Sequence, residues 1–226
     1  MANRPYFSIC EDGNSFYKEK SVDFEYFSGF SIVQKHKSIS SLHESILKVK
    51  PNAKILEVSR KSENPLGNSL SAFNLLYEFD DGRKVPLENV FQSSKVFRNG
   101  GPYLELLNVT PVEAKRYEKL KTSGELTKFV LNGEEWPLEP KTMFYDYIYI
   151  KSLLSNKNLC EQLLNFDTFT DIEFNPKKSF NCQARSVAIC VSLLKSRRIH
   201  DYLQDKDLFK EIYKDQKVEP IQTSLF

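Results

Sequence analysis

Apolar and polar positions alternate early in the chain: Val22, Phe24 and Tyr26 are separated by Asp23 and Glu25, and after a break at Gly29 comes Phe30-Ser31-Ile32-Val33. A period of two belongs to a strand with one buried face, so the first 35 residues predict β structure. From Ser38, a residue able to cap a helix, Ile39, Leu42, Ile46 and Leu47 recur at helical spacing and stop before Pro51. Ile55-Leu56-Glu57-Val58 reads as a strand. Leu75-Leu76-Tyr77-Glu78-Phe79, the turn Asp80-Asp81-Gly82 and Arg83-Lys84-Val85 together make a hairpin signal. A short helix follows over residues 87–97, with Pro86 suited to its start and Gly100-Gly101 to its stop.

Past residue 110 the period turns helical. Thr110-Pro111-Val112-Glu113 has the form of a capping box with proline at the first helical position, and its helix carries Ala114, Tyr117 and Leu120 to near Gly124. Further helices are expected over residues 143–154, 159–164, 179 to about 203, and 207–213, before a polar tail from about residue 215. Cys182, Ile189, Cys190, Leu193 and Leu194 form the apolar stripe of the longest. There are no repeats or low-complexity linkers. Strands early and helices late predict an α+β fold, a single domain over residues 1–226 with a small, mainly N-terminal sheet and a helix-rich C-terminal half.

Composition adds mostly exclusions. A chain of 226 residues with 40% hydrophobic and 27% charged positions can bury a core of ordinary size. No apolar run reaches the roughly 18 residues of a membrane span, and Met1-Ala2-Asn3-Arg4-Pro5 lacks the apolar centre of a signal peptide, so a cytoplasmic protein without membrane partners is expected. Cys10, Cys160, Cys182 and Cys190 form no CxxC pair and the three histidines lie far apart, so no metal site is expected. A net charge of only +2 provides no global field toward nucleic acid.

Candidate chemistry gathers at the ends of elements. At about 100° per residue, Glu88, Phe91, Gln92 and Lys95 share a narrow arc of their helix, which puts an acid, an amide and a base on one side. Val90, Ser94 and Phe97 point the other way. The same pattern also suits a solvated face. Gln34-Lys35-His36-Lys37-Ser38, between a strand and a helix, can attract an anion or simply form a basic turn. Phe73 and Asn74 can stack on and hydrogen-bond a base or ribose, though Asn there is also turn chemistry. Asp171 and Glu173 are two apart, on one face of an extended strand. Asn175-Pro176, Lys177 and Lys178 follow, then Ser179 as a cap for the longest helix, whose start could take a pyrophosphate. Asn181 and Arg185 lie one turn apart on that helix. Trp136, placed in a loop after Asn132-Gly133, is either a stacking wall for a nucleobase or a core plug.

Taken in order, these motifs resemble a known family. Glu88-Asn89-Val90-Phe91-Gln92-Ser93-Ser94-Lys95 is similar to the Glu-x-x-x-Gln-x-x-Lys helix of NADAR (YbiA-like) domains, and Thr170 to Arg185 resembles their closing motif. Gln34-Lys35-x-Lys37-Ser38-Ile39, Leu70-Ser71-Ala72-Phe73-Asn74 and Phe174-Asn175-Pro176-Lys177-Lys178-Ser179 are closer still to NADAR antitoxins encoded beside DarT-type DNA ADP-ribosyltransferase toxins. The likeness spans nearly residues 5 to 200, with His36 a departure where the pattern has Gln.

The resemblance implies a hydrolase, without cofactor, that cleaves the N-glycosidic bond between ADP-ribose and the exocyclic amine of guanine in DNA. It releases ADP-ribose and opposes a cognate toxin. Glu88 would lead the catalysis, with Asp171 or Glu173 second. Lys35 or Lys95 would protonate the leaving base, or attack the sugar and form a Schiff base. Lys177, Lys178 and the long helix's start would hold the pyrophosphate. Phe73, Phe91 or Trp136 would stack on a base, and Asn74, Gln92, Asn181 and Arg185 would orient hydroxyls, with Gln34 and Asn175 lining the pocket. Two other classes stay open: a small-molecule N-glycosidase acting on phosphoribosylated or ADP-ribosylated metabolites, and a non-catalytic antitoxin that binds its toxin.

Overall fold

Alternation at the N-terminus is realised as an antiparallel pair, β1 (Ala2–Ser8) and β2 (Lys18–Phe24), in register from Ala2 opposite Phe24 to Ser8 opposite Lys18. The computed structural model describes residues 1–10 and 15–214, so the tail expected from about residue 215 lies outside the described residues. After β2 come α1 (Ile32–Val49), β3 (Ile55–Glu57), α2 (Pro65–Ser69), β4 (Leu76–Glu78), β5 (Lys84–Pro86), α3 (Leu87–Ser93) and β6 (Lys95–Phe97). The chain continues with α4 (Pro111–Arg116), α5 (Lys119–Thr122), β7 (Leu126–Leu131), β8 (Glu134–Trp136), α6 (Met143–Leu154) and α7 (Lys157–Leu163). It ends with β9 (Thr168–Thr170), α8 (Gln183–Lys195), α9 (Ile199–Gln204) and α10 (Lys206–Lys210). The architecture is α+β, as expected. Among the described residues, no helix is long and apolar enough to cross a membrane.

The main sheet has the order β2-β1-β9-β3, with β9 antiparallel to β1 and parallel to β3. Successive residues of β1 serve opposite faces. Tyr6 joins Ile39, Leu42 and Ile46 of α1 on one side, while Phe7 joins Phe169 and the buried face of α8 on the other. A strand from the C-terminal half therefore sits inside a sheet expected to be mainly N-terminal. Three residues, Thr168-Phe169-Thr170, are too few to show a period. Their consequence is positional, because β9, an inner strand, delivers Asp171 to the end of the sheet directly beside the end of β3.

Several expected boundaries move. Ile32-Val33 opens α1 rather than a strand: Ser31 is the cap, its hydroxyl accepting from the Gln34 amide at 3.3 Å. Ser38, expected as the cap, lies inside the helix and donates to the Gln34 carbonyl at 3.0 Å. The helix expected over 87–97 ends at Ser93, where the Ser93 and Ser94 hydroxyls both return to the Val90 carbonyl, and Gly100-Gly101 has no part in stopping it. The hairpin β7–β8 replaces part of the expected helical half. It turns on Asn132 (φ 53°) and Gly133 (φ 77°), a backbone that Asn-Gly favours. The helix expected from residue 179 starts at Gln183 and breaks at Arg197 (φ 59°) into α8 and α9. By contrast, the Thr110–Glu113 capping box and the Asp80–Gly82 hairpin form as expected.

Candidate active site

Helix α3 has no side-chain cap; its first amides are taken by the segment that precedes the β4–β5 hairpin. The Leu87 N–H donates to the Leu75 carbonyl at 2.8 Å and the Glu88 N–H to the Ala72 carbonyl at 2.9 Å. Phe73 is thereby fixed beside Glu88. Leu87 and Val90 are fully buried, which turns the opposite face of α3 toward the site. There Glu88 is only 6% exposed, and Gln92, one turn on, donates its amide to Glu88 Oε1 at 2.9 Å. Lys115 of α4 brings its ammonium within 4.0 Å of the same oxygen. Lys95 belongs to β6, not to the helix, yet it stays at this site, its ammonium 4.7 Å above the Phe91 ring. Burial lowers its pKa to about 8; Glu88 opposes that shift and Lys115 adds to it.

A second arm comes from the end of β9. Asp171 is buried; its Oδ1 accepts the Glu173 and Phe174 amides at 3.0 and 3.1 Å, and its Oδ2 accepts the Gln183 side chain at 3.2 Å. Gln183 in turn accepts the Ala72 N–H at 2.6 Å. The Ala72 peptide thus ties Gln183 and Asp171 on one side to Glu88 on the other. Tyr145 of α6 lies beneath, edge-on to Phe91 at 5.1 Å; burial raises its phenol well above the usual range, with Tyr149, Glu88 and Asp171 adding to the rise. The Asp171 pKa is raised to about 8, first by burial and then by the neighbouring charge of Glu57. Glu57 is itself raised by burial, although it accepts from the Thr170 hydroxyl at 2.6 Å and the Ile172 amide at 2.9 Å. Two buried carboxyls this close favour holding a proton between them.

At the rim, the half-buried Phe73 ring carries the Arg60 guanidinium 4.1 Å and the Lys115 ammonium 5.2 Å from its centre. Helix α1 borders this rim, His36 standing 3.3 Å from Glu63 on the Arg60 loop. Among the described residues, the buried side-chain oxygens of Gln34, Asn89, Gln92 and Asn181 have no hydrogen-bond partner; that of Gln92 lies beside Glu88, where a ligand or water can complete it.

The remaining expected residues have other partners or face solvent. Lys35 donates to the Tyr26 hydroxyl at 2.9 Å, and no ion pair or hydrogen bond among the described residues links it to Glu88 or Asp171. Trp136 is 1% exposed, sits in β8 and packs against Phe144, Tyr147 and the Lys206 ammonium; it is the core plug and cannot stack on a base. Arg185 is drawn inward by Asp146 at 3.1 Å, in a buried cluster with Ser186 and Tyr213, so its guanidinium is already committed within the fold. Asn74 holds Asn68 at 2.9 Å, which is turn chemistry. Asp171 and Glu173 do not share a strand face, since β9 has ended and the chain turns: Asp171 is buried and Glu173 exposed. Lys177 and Lys178 are exposed, Asn175 spends its side chain on the Lys177 amide at 3.0 Å, and Ser179 caps nothing because α8 starts four residues later.

Arg60, Lys115, Tyr145, Gln183 and Glu57 are the residues that sequence reasoning missed. Only Gln183 carried a signal, a polar residue in the first turns of the helix expected from residue 179. Two grooves, of about 460 and 270 Å³, include neither Glu88 nor Asp171; the first runs past Asn68 and Asn74. Among the described residues, no three His, Cys, Asp or Glu side chains gather as a metal would require.

No curated protein matches the chain. The family model described as the DarT1-associated NADAR antitoxin matches residues 2–223, nearly the whole sequence and every element that builds the site. The chain belongs to that family of NADAR antitoxins.

Proposed function

We propose that this antitoxin removes ADP-ribose from guanine bases in DNA by hydrolysing the N-glycosidic bond, erasing the modification that a DarT-type toxin makes. The observation that carries the reading is the pair Glu88 and Lys95. A buried carboxylate and a lysine brought to about 8 lie within reach of each other's charge, beside the half-exposed Phe73 ring.

Cleavage of this bond builds positive charge on the ribose C1 and leaves an electron pair on the guanine amine. Glu88 takes a proton from the attacking water and faces the developing cation, with the Gln92 amide fixing one of its oxygens. As water's oxygen bonds to C1, the C1–N bond breaks and the Lys95 ammonium gives its proton to the departing amine. A protonated carboxyl in the Asp171–Glu57 pair is a donor for a sugar hydroxyl or ring oxygen. Lys95 also supports a second route. About a tenth of it is free amine at pH 7 when the pKa is near 8. That amine can attack C1 and displace the guanine amine, which takes up the proton the lysine loses; the ribose ring then opens to a Schiff base, and water hydrolyses it to release ADP-ribose and free the lysine.

The test is incubation of the purified protein with an oligonucleotide carrying ADP-ribosylated guanine. Mass spectrometry should find free ADP-ribose and restored guanine, and Glu88→Gln should lose on the order of 10²–10⁴-fold in rate while staying folded. Full rate in Glu88→Gln, or no release by folded wild type, overturns the reading. Equal turnover of free ADP-ribosylated guanosine would point to a metabolite glycosidase. A stoichiometric toxin complex that leaves modified DNA intact would point to a binding antitoxin. Borohydride added during turnover traps an adduct on Lys95 only if the second route operates.

A further inference from the structure

We propose that Arg60 and Lys115, gathered on the Phe73 ring, form an anion subsite that holds the diphosphate of the ADP-ribosyl group. This rests on Glu88 marking the reaction centre.

The two cations come from separate parts of the chain and meet on one aromatic ring. Among the described residues no carboxylate lies within ion-pair distance of Arg60, and the carboxylate near Lys115 is Glu88, 4.0 Å away. Glu63, on the Arg60 loop, faces His36. Counting Lys95, whose charge acts on both Glu88 and Lys115, three cations stand against the two carboxylates Glu88 and Glu63, and the outer two, Arg60 and Lys115, are exposed to solvent.

Arg60 is also presented on a fixed support. Its carbonyl accepts the Asn68 side chain at 3.0 Å, and Asn68 is held by Asn74. Gly67 packs so closely beneath that a β-carbon there would lie 2.0 Å from the Glu57 carbonyl oxygen. Asn74 thus supports the rim without touching a ligand. The planar guanidinium can grip a phosphate with two parallel hydrogen bonds, and Lys115 adds a point charge.

Position then selects between phosphates. The diphosphate leaves C5 of the same ribose whose C1 reacts, so it must lie within a few ångströms of the carboxylate that serves C1. Lys115 meets that condition directly. Among the described residues Lys177 and Lys178 have no such link to Glu88, and the α8 start near them presents Gln183 to Asp171 instead.

Calorimetric titration without turnover tests this, using ADP-ribose, adenosine and unmodified single-stranded DNA as probes. Arg60→Ala and Lys115→Ala should each weaken ADP-ribose binding at least tenfold and leave adenosine binding unchanged, with Arg60→Lys intermediate. Both side chains are exposed, so melting temperatures should match wild type, and Lys48→Ala on α1 serves as a charge control. ADP-ribose affinity unaltered in both variants, or adenosine weakened equally, overturns the proposal. Loss of binding to unmodified DNA alone would assign the cations to the DNA backbone and likewise overturn it. If wild type deprotects DNA while Arg60→Ala binds ADP-ribose normally, only the subsite fails. If Arg60 governs ADP-ribose binding but modified DNA is never turned over, the glycohydrolase reading fails and the subsite stands.

Discussion

Lys95→Met should make this protein more stable at neutral pH and inactive. A solvated lysine has a pKa near 10.5, and burial brings Lys95 to about 8 even with Glu88 nearby. That difference, at about 1.4 kcal/mol per unit, sets an upper limit of about 3 kcal/mol on what the ammonium costs the folded state. The residue is half-buried rather than sealed, so about 1–3 kcal/mol is the working figure. The sign follows from proton counts. At pH 7 both folded and unfolded chains carry the proton, and the folded one bears the desolvation cost. Between about pH 8 and 10.5 the folded state releases it while the unfolded state keeps it, so the wild type gains stability as pH rises. Methionine has the length without the charge and shows no such slope. Urea unfolding at pH 7 and pH 10 measures both: the variant should lead by about 1–3 kcal/mol at pH 7 and by under about 1 kcal/mol at pH 10. A variant less stable than wild type at pH 7, or a difference that ignores pH, refutes the reasoning. Increased stability with lost turnover would mark Lys95 as a residue retained against stability.

Three other outcomes follow from the same geometry. Asp146→Ala should cost about 3–5 kcal/mol in urea unfolding, because it strands the buried Arg185 guanidinium and the Tyr213 hydroxyl. Trp136 should fluoresce as a buried indole, resist quenching by acrylamide and ignore added ADP-ribose, since it is sealed against Phe144 and Tyr147; quenching by ligand would restore it as a stacking wall. The Asp171 carboxyl, raised above its unfolded value by burial and Glu57, favours folding at low pH and loses that contribution as pH rises through its folded pKa near 8. Asp171→Asn should therefore flatten the stability profile between about pH 4 and 8 while slowing catalysis, which parallel unfolding and rate measurements would show.

Local patterns were enough for some of this. The Thr110–Glu113 capping box, the Asp80–Gly82 hairpin and the common face of Glu88 and Gln92 each depend on residues within a few positions of one another, so spacing alone carried them. The Asn132-Gly133 hairpin was equally legible but was taken for a loop, because the surrounding chain read as helical. Lys95 shows where a local period stops informing: helical spacing put it near Glu88, the helix ended first, and β6 returned it to the same site.

What the sequence alone determined, then, is the α+β class, the chemistry carried on α3 and the motif order by which the family is recognised. Tertiary structure alone decided which charges meet. Gln183 reaches Ala72 across 111 positions and Glu57 reaches Ile172 across 115, distances at which no periodicity operates. It also decided which polar residues are withdrawn from solvent, sending Arg185 inward to Asp146 and leaving Arg60 and Lys115 on the rim. A residue's intrinsic propensity is a property of its neighbours in the chain. Its desolvation and its partners are properties of whatever the fold packs against it, and those are what tune a carboxyl or an amine for chemistry.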